Sequence, residues 1–178
     1  MRRFDRAGEM RISFLSAMSM LDAQDNETRS YLEVADALRQ YGSKPEADMH
    51  QLWRRIVFNI LISNTDDHLR NHGFLYESSR GWRLAPAYDL NPVSVDLKAR
   101  VLSTAITMDD ATASLSLALE VAGHFGLSRK QARQIAAEAG AAVSRWRGEA
   151  LRLGIAAKAI ERMESAFEHE DLAQAVAM

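Results

Sequence analysis

A chain of 178 residues with 47 % hydrophobic residues is long enough to bury one domain core and too apolar to be disordered. It has no cysteine, which excludes disulfides and thiolate metal sites, and its formal net charge of −2 gives no electrostatic basis for direct nucleic-acid binding. No apolar run is long enough to span a membrane and no signal peptide follows Met1, so we expect a soluble, cytoplasmic protein.

The composition favours a mainly α-helical fold, because Ala, Leu, Glu and Arg are frequent and only 3 prolines and 9 glycines interrupt the chain. Residues 1–11 are highly charged, and we expect an extended entry segment there. Apolar spacing predicts a first helix over 12–21 and a second helix from about Tyr31 to Leu38, which Gly42 would end.

The clearest helical pattern lies between about Ala47 and Ile62. Its apolar residues recur at three- and four-residue steps, as on one face of a helix. They are Met49, Leu52, Trp53, Ile56, Val57, Ile60 and Leu61. We predict that this helix is the central buried element of a helical domain over residues 12–178, with Trp53 in its core.

Two short strands are predicted after this helix, at Phe74–Tyr76 and Trp82–Leu84, with the turn of a β-hairpin over Ser78–Gly81. Helices then resume. One is expected from Ala113 to His124, closed near Gly126.

The last part of the chain is also predicted to be helical. Ser128 and Gln131 have the spacing of a capping box, which would open a helix. That helix is expected to turn five side chains toward the core: Ile135, Ala139, Ala142, Val143 and Trp146. A final helix is predicted from about Ala156 to Phe167.

Two polar loops flank the predicted hairpin. The first contains Asp66 and Asn71 in a D-x-x-x-x-N spacing, and the second contains Asp89. Phosphoryl transfer needs a carboxylate that accepts the proton of the attacking hydroxyl, together with oxygen ligands that hold Mg²⁺ against the phosphates. Because a hairpin would bring the two loops together, this order of residues predicts a kinase-type site.

The run NTDDHLRN at 64–71 and the run WRLAPAYDL at 82–90 resemble the signature of HipA-like serine/threonine protein kinases. Segments at 3–6, 16–21 and 146–147 are also similar to this family. The resemblance covers almost the whole chain. It implies the helical C-terminal lobe of a HipA/protein-kinase-like fold.

The resemblance also implies a role for each matching residue. Asp66 corresponds to the catalytic base, and Asn71 and Asp89 correspond to the Mg²⁺ ligands. Phe4 lies where the hinge of the family contacts the adenine of ATP. His68 belongs to the motif, and we expect it to support the loop through hydrogen bonds.

Two neighbouring residues are expected to have no chemical role. Asp67 stands where the family often has a small residue, and we expect its side chain to be exposed. Tyr88 is expected to contribute packing.

HipA-like kinases are toxins of bacterial toxin–antitoxin systems. The resemblance therefore implies ATP as phosphoryl donor, a protein substrate such as a translation factor or an aminoacyl-tRNA synthetase, and a DNA-binding antitoxin as partner. The glycine-rich phosphate loop and the phosphate-binding lysine of the family precede its hinge, and neither motif occurs here. We expect that an N-terminal nucleotide-binding lobe, in cis or in trans, is required for activity.

Two other interpretations remain open. One is a kinase-shaped interaction domain without activity, which binds an antitoxin or another protein. The other is a metal-dependent phosphohydrolase, which would use these five side chains: Asp66, Asp67, His68, His72 and Asp89.

Overall fold

The structure is a computed structural model, and it describes residues 3–77, 80–95 and 97–178. The chain starts with two strands, β1 (Arg6–Ala7) and β2 (Met10–Arg11), which pair in antiparallel register with Ala7 opposite Met10. The charged N-terminal segment, predicted to be extended, therefore turns back on itself. Met1 and Arg2 lie outside the described residues.

A three-stranded antiparallel sheet contains β3 (Phe14–Ser16), β4 (Gly73–Tyr76) and β5 (Trp82–Leu84), in the order β3-β4-β5. The predicted hairpin is confirmed as β4 and β5, although Ser78 and Ser79 of its turn lie outside the described residues.

The helix predicted over 12–21 is wrong in its first half. Leu15 pairs with Phe74 across the sheet, and only α1 (Ala17–Met20) is helical. Short apolar runs fit either structure, and here the free edge of β4 supplies the hydrogen bonds that favour a strand.

Helix α2 (Tyr31–Tyr41) begins with a capping box between Ser30 and Glu33. It ends at Gly42, as predicted, but not in a left-handed conformation, because φ of Gly42 is −78°. Glycine is required here for space. A Cβ atom at this position would collide with the carbonyl oxygen of Leu38.

Helix α3 (Pro45–Leu61) is the central buried element, as predicted. Six of its apolar side chains are fully buried: Leu52, Trp53, Ile56, Val57, Ile60 and Leu61. The indole nitrogen of Trp53 donates to the carbonyl oxygen of Ala118 at 3.0 Å, so the one polar atom of this core side chain is satisfied.

The helices after the sheet are shorter than predicted. The segment expected as one helix at 113–124 is α4 (Leu115–Glu120) followed by a 3₁₀ turn (Ala122–Phe125) that ends at Gly126. The next helix, α5 (Arg129–Val143), begins with the predicted capping box. The remaining helices are α6 (Trp146–Arg152), α7 (Ala157–Arg162), α8 (Glu164–Phe167) and α9 (Glu170–Val176). The helix expected at 156–167 is thus divided into two.

The buried face of α5 differs in part from the prediction. Its buried residues are Ala132, Ala136, Ala139, Gly140 and Val143, whereas Ala142 is exposed and Ile135 is half-buried. The reason is that small side chains allow α5 to approach α9 closely. A Cβ atom on Gly140 would lie 2.8 Å from the Cβ of Ala175.

Within the described part of the chain, no helix combines the length and the apolar character needed to cross a membrane.

Candidate active site

The first polar loop starts where α3 ends. Ser63 adopts a left-handed conformation with φ of 51°, which turns the chain sharply away from the helix axis. Asn64 is fully buried and bonds back to Asn59 twice, through main-chain atoms at 2.8 Å and side-chain atoms at 3.1 Å. The loop therefore leaves the core helix in one defined direction.

The loop holds Asp66 and Asn71 close together. The carbonyl oxygen of Asp66 accepts from Nδ2 of Asn71 at 3.1 Å and from the main-chain NH of His68 at 2.9 Å. Asp66 is exposed, whereas Asn71 is largely buried. Because Nδ2 of Asn71 is engaged in the loop, Oδ1 is the side-chain atom that can bind a cation.

The second polar loop lies against the first. The hydroxyl of Tyr88 donates to the carbonyl oxygen of Arg70 at 2.6 Å. This bond joins the residue before Asp89 to the residue before Asn71. Asp89 is exposed and left-handed, with φ of 57°, and its Oδ1 accepts from the side chain of Asn91 at 2.7 Å.

Phe4 lies beside this second loop. Its ring stacks on Tyr88 with centroids 5.7 Å apart, and it lies 6.3 Å from the ring of Phe14. The residue predicted to contact adenine therefore touches the residue that precedes Asp89. Its role in nucleotide binding stays a prediction.

His68 supports the loop through its main chain. Its NH donates to Asp66, and its carbonyl oxygen accepts from the NH of Asn71 at 2.8 Å. Nδ1 of its half-buried imidazole has no hydrogen-bond partner among the described residues. The contribution of the side chain stays a prediction.

Asp67 is fully buried, so the expectation that it is exposed was wrong. Its Oδ2 accepts from the hydroxyl of Tyr31, from Nδ2 of Asn59 at 2.5 Å and from Nε2 of His72 at 2.9 Å. All three donors are also buried. The sequence signal that could have identified this network is the presence of polar residues, such as Asn59, on the apolar face of α3.

Burial and hydrogen bonding act on these groups in opposite directions. Burial alone would raise the pKa of Asp67, but the adjacent His72 and the bonds from His72 and Tyr31 hold that pKa below its usual range. Burial and the neighbouring carboxylate of Asp67 raise the pKa of Tyr31 well above its usual value. Asp67 therefore carries its negative charge inside the domain.

A second buried charged residue, Arg55, was not anticipated. Its Nη2 donates to the carbonyl oxygen of Ala85, in the segment that leads to Tyr88 and Asp89. Burial lowers the pKa of Arg55, while the charges of Asp67 and Asp48 oppose this effect. Arg55 thus supports the second loop through this hydrogen bond to Ala85.

The expected Mg²⁺ ligands fit the preferences of that cation, which binds few protein oxygens together with water and substrate phosphates. Asn71 and Asp89 would supply one amide and one carboxylate oxygen. A phosphohydrolase would need a larger cluster. In the ranges that the structure describes, no group of three or more His, Cys, Asp or Glu side chains is placed to hold a metal ion. The five residues considered for that activity are therefore not assembled into a metal centre.

A model of the HipA-like C-terminal domain family matches residues 1–146, which is most of the chain. The chain belongs to this family.

Curated relatives of this chain carry kinase names. The protein named "Putative kinase" from Haemophilus influenzae is 34 % identical over 74 residues, which are 42 % of this chain and 22 % of the relative. The protein named "Putative kinase Y4dM" from Sinorhizobium fredii is 33 % identical over 92 residues, which are 50 % of this chain and 22 % of the relative. The match thus spans less than a quarter of either relative.

A similar solved structure is HipA of Shewanella oneidensis MR-1, in a toxin–antitoxin complex with HipB and operator DNA. The TM-score is 0.64 and the sequence identity is 21 %, over 99 % of this chain and 44 % of that chain. This likeness confirms the predicted fold. The chain spans less than half the length of that HipA.

Proposed function

We propose that the chain is the C-terminal catalytic lobe of a HipA-like serine/threonine protein kinase, which transfers the γ-phosphate of ATP to a protein hydroxyl. The observation that carries this proposal is the hydrogen bond between Tyr88 and Arg70. It joins the loop of Asp66 and Asn71 to the loop of Asp89. The family match and the kinase names of the relatives support the same activity.

Each side chain has a defined part in the proposed reaction. The exposed carboxylate of Asp66 orients the substrate hydroxyl and accepts its proton as the oxygen attacks the γ-phosphorus. Oδ1 of Asn71 and a carboxylate oxygen of Asp89 would hold Mg²⁺, which would neutralise charge on the phosphates. Phe4 contacts the adenine ring.

The groups that hold the triphosphate are proposed to come from outside these 178 residues. The sequence contains no glycine-rich phosphate loop followed by a strand lysine. Catalysis of phosphoryl transfer depends on positioning and electrostatic stabilisation, so half of a nucleotide cleft should be nearly inactive. An N-terminal lobe in cis or in trans would complete the site.

A role in a toxin–antitoxin system is proposed from the family and from the HipA–HipB–DNA complex of the similar structure. The partner would be a DNA-binding antitoxin. Since this chain has a net charge of −2, DNA contact would be made by the antitoxin. The substrate would be a protein of translation, such as a translation factor or an aminoacyl-tRNA synthetase, as the family resemblance implies.

The test is a kinase assay with labelled ATP on the chain alone and on the chain joined to the nucleotide-binding lobe of a HipA-like relative. We expect activity only in the joined protein. Asp66→Asn should abolish it, because an amide cannot accept the proton. Asp89→Asn should reduce it in a way that excess Mg²⁺ partly reverses.

Glu161→Gln is the control, because it removes an exposed carboxylate on α7. It should leave activity unchanged. Full activity of the Asp66→Asn variant would overturn the mechanism. A joined protein that binds neither ATP nor Mg²⁺ would instead favour a non-enzymatic interaction domain.

A further inference from the structure

The buried carboxylate of Asp67 belongs to the residue that directly follows the proposed catalytic base, Asp66, in the chain. Three donors converge on its Oδ2 atom: Tyr31, Asn59 and His72. Since Asp67 is fully buried, it cannot touch a substrate or a nucleotide. Its effect on chemistry must pass through the residues that it holds.

These contacts connect separate parts of the fold. Tyr31 is the first residue of α2, and Asn59 belongs to the last turn of α3. His72 directly follows Asn71 in the chain and leads into β4. One oxygen atom therefore ties the loop to two helices and to the first strand of the hairpin.

The main chain on both sides of the network is also anchored. The carbonyl oxygen of Asp67 accepts from the hydroxyl of Thr104 at 2.7 Å, and the carbonyl oxygen of His72 accepts from the NH of Ala17 at 2.7 Å. The ring of His72 also meets the ring of Tyr31 edge to face, with centroids 5.6 Å apart. The loop is thus bonded to the rest of the fold at the residue that follows each of its two proposed functional residues.

A buried charge is a costly means of joining three segments. An ionised carboxylate inside a protein is destabilising unless hydrogen bonds and nearby charge compensate for its lost hydration. Apolar side chains could connect the same elements without this cost. What a carboxylate adds is direction, because each donor must point at one atom along a narrow range of angles.

We propose that Asp67 is a positioning residue for phosphoryl transfer, which sets the separation between the base Asp66 and the metal ligand Asn71. Asp67 follows Asp66 and His72 follows Asn71. The hydrogen bond between Asp67 and His72 therefore fixes the distance between the two functional residues. This proposal rests on the proposed kinase function. Its physical basis is that a misplacement of about 1 Å in a catalytic group can cost roughly 100-fold in rate.

The test compares three variants in the joined kinase and in the 178-residue chain. Tyr31→Phe removes one donor to Asp67 and keeps the ring. Asp67→Leu removes the acceptor altogether. Val57→Ala is the matched control, because Val57 is a fully buried apolar residue of α3 without a polar contact to the loop. Its expected effect is a loss of stability alone.

In the joined kinase, Tyr31→Phe should lower kcat about 10- to 100-fold, with little change in the KM for ATP. Val57→Ala should leave the kcat of the folded protein unchanged. If Tyr31→Phe and Val57→Ala give the same kcat at equal stability, the network has a purely structural role and the proposal fails. If Asp67→Leu does not fold, the comparison of Tyr31→Phe with Val57→Ala still tests the proposal.

Hydrogen exchange on the 178-residue chain gives a second, independent readout. Amides of residues 66–72 should exchange faster in Tyr31→Phe than in Val57→Ala, because local opening follows the loss of local bonds. Unchanged exchange in this loop would overturn the positioning role. If the loop exchanges faster in Tyr31→Phe but the joined wild-type protein has no kinase activity, the network holds the loop and the kinase function is wrong.

Discussion

The hydroxyl of Tyr88 lies 2.6 Å from the carbonyl oxygen of Arg70, and this bond connects the two loops on which the proposed phosphoryl-transfer site depends. Asn71 follows the acceptor in the chain, and Asp89 follows the donor. The relative position of the two proposed metal ligands is therefore set in part by a residue that was expected to contribute only packing.

Replacing Tyr88 with phenylalanine keeps the ring stacked on Phe4 and removes only the hydroxyl. A neutral hydrogen bond contributes about 1 kcal/mol, which corresponds to roughly a fivefold change in an equilibrium. We expect the Mg²⁺ concentration for half-maximal activity of the joined kinase to rise by about that factor. Tyr76→Phe, at an exposed position of β4, should leave it unchanged. Identical Mg²⁺ curves for Tyr88→Phe and wild type would contradict the role of this bond.

Trp53→Ala should destabilise the chain by about 3–5 kcal/mol, because a large, fully buried side chain is removed and its cavity can collapse only in part. The measurement is unfolding in denaturant, followed by circular dichroism. Leu151→Ala, at an exposed position of α6, should change stability by less than about 0.5 kcal/mol. A loss below about 1 kcal/mol for Trp53→Ala would mean that α3 is not the central helix.

Acid unfolding should depend on Asp67. Its pKa in the folded chain lies below the usual value of 3.8, so an unfolded chain takes up the proton first as the pH falls. The stability from Asp67 is therefore fully present above about pH 4 and is lost as the pH falls through the lower, folded-state pKa.

The measurement for Asp67 is the free energy of unfolding at a series of pH values from neutral to strongly acidic. Asp67→Asn should be less stable than wild type at neutral pH and should lose less stability on acidification. Val57→Ala should lower stability at every pH while keeping the slope of the wild type. Parallel curves for Asp67→Asn and wild type would show that folding leaves the pKa of Asp67 unchanged, against the lowered folded-state pKa.

Two glycines inside helices should respond to alanine in opposite ways. At Gly140 the new Cβ would lie 2.8 Å from the Cβ of Ala175 and 2.9 Å from its carbonyl carbon, so Gly140→Ala should cost about 1–3 kcal/mol. Gly148 in α6 has open space around it, and Gly148→Ala should stabilise by about 0.5–1 kcal/mol. Thermal unfolding measures both. A stabilised Gly140→Ala variant would mean that α5 and α9 are not in close contact.

Local patterns were sufficient for several parts of the fold. The apolar period of α3 predicted both its length and its burial, because a helix that buries one face in a core requires that spacing along its whole length. The capping box at Ser128 marked the start of α5 for a similarly local reason. The β-hairpin was also visible from its short apolar runs.

Local patterns were not sufficient where distant segments meet. Phe14–Ser16 became a strand because β4 offered an edge 57 to 61 residues further along the chain, where Ser16 pairs with Gly73 and Phe14 with Leu75. The core face of α5 was displaced because α9 packs on it through Gly140 and Ala175. Neither contact leaves a signal in the segment itself.

The sequence by itself determined that the chain is a mainly helical domain with a D-x-x-x-x-N loop and a later Asp89, since periodicity and spacing are local properties. Only the tertiary structure decided what surrounds these residues. It placed Asp67 in the interior, because Tyr31, Asn59 and His72 supply three donors from parts of the chain that no local pattern connects. A buried carboxylate and an exposed one look alike in a sequence, since their difference lies in partners that folding brings together.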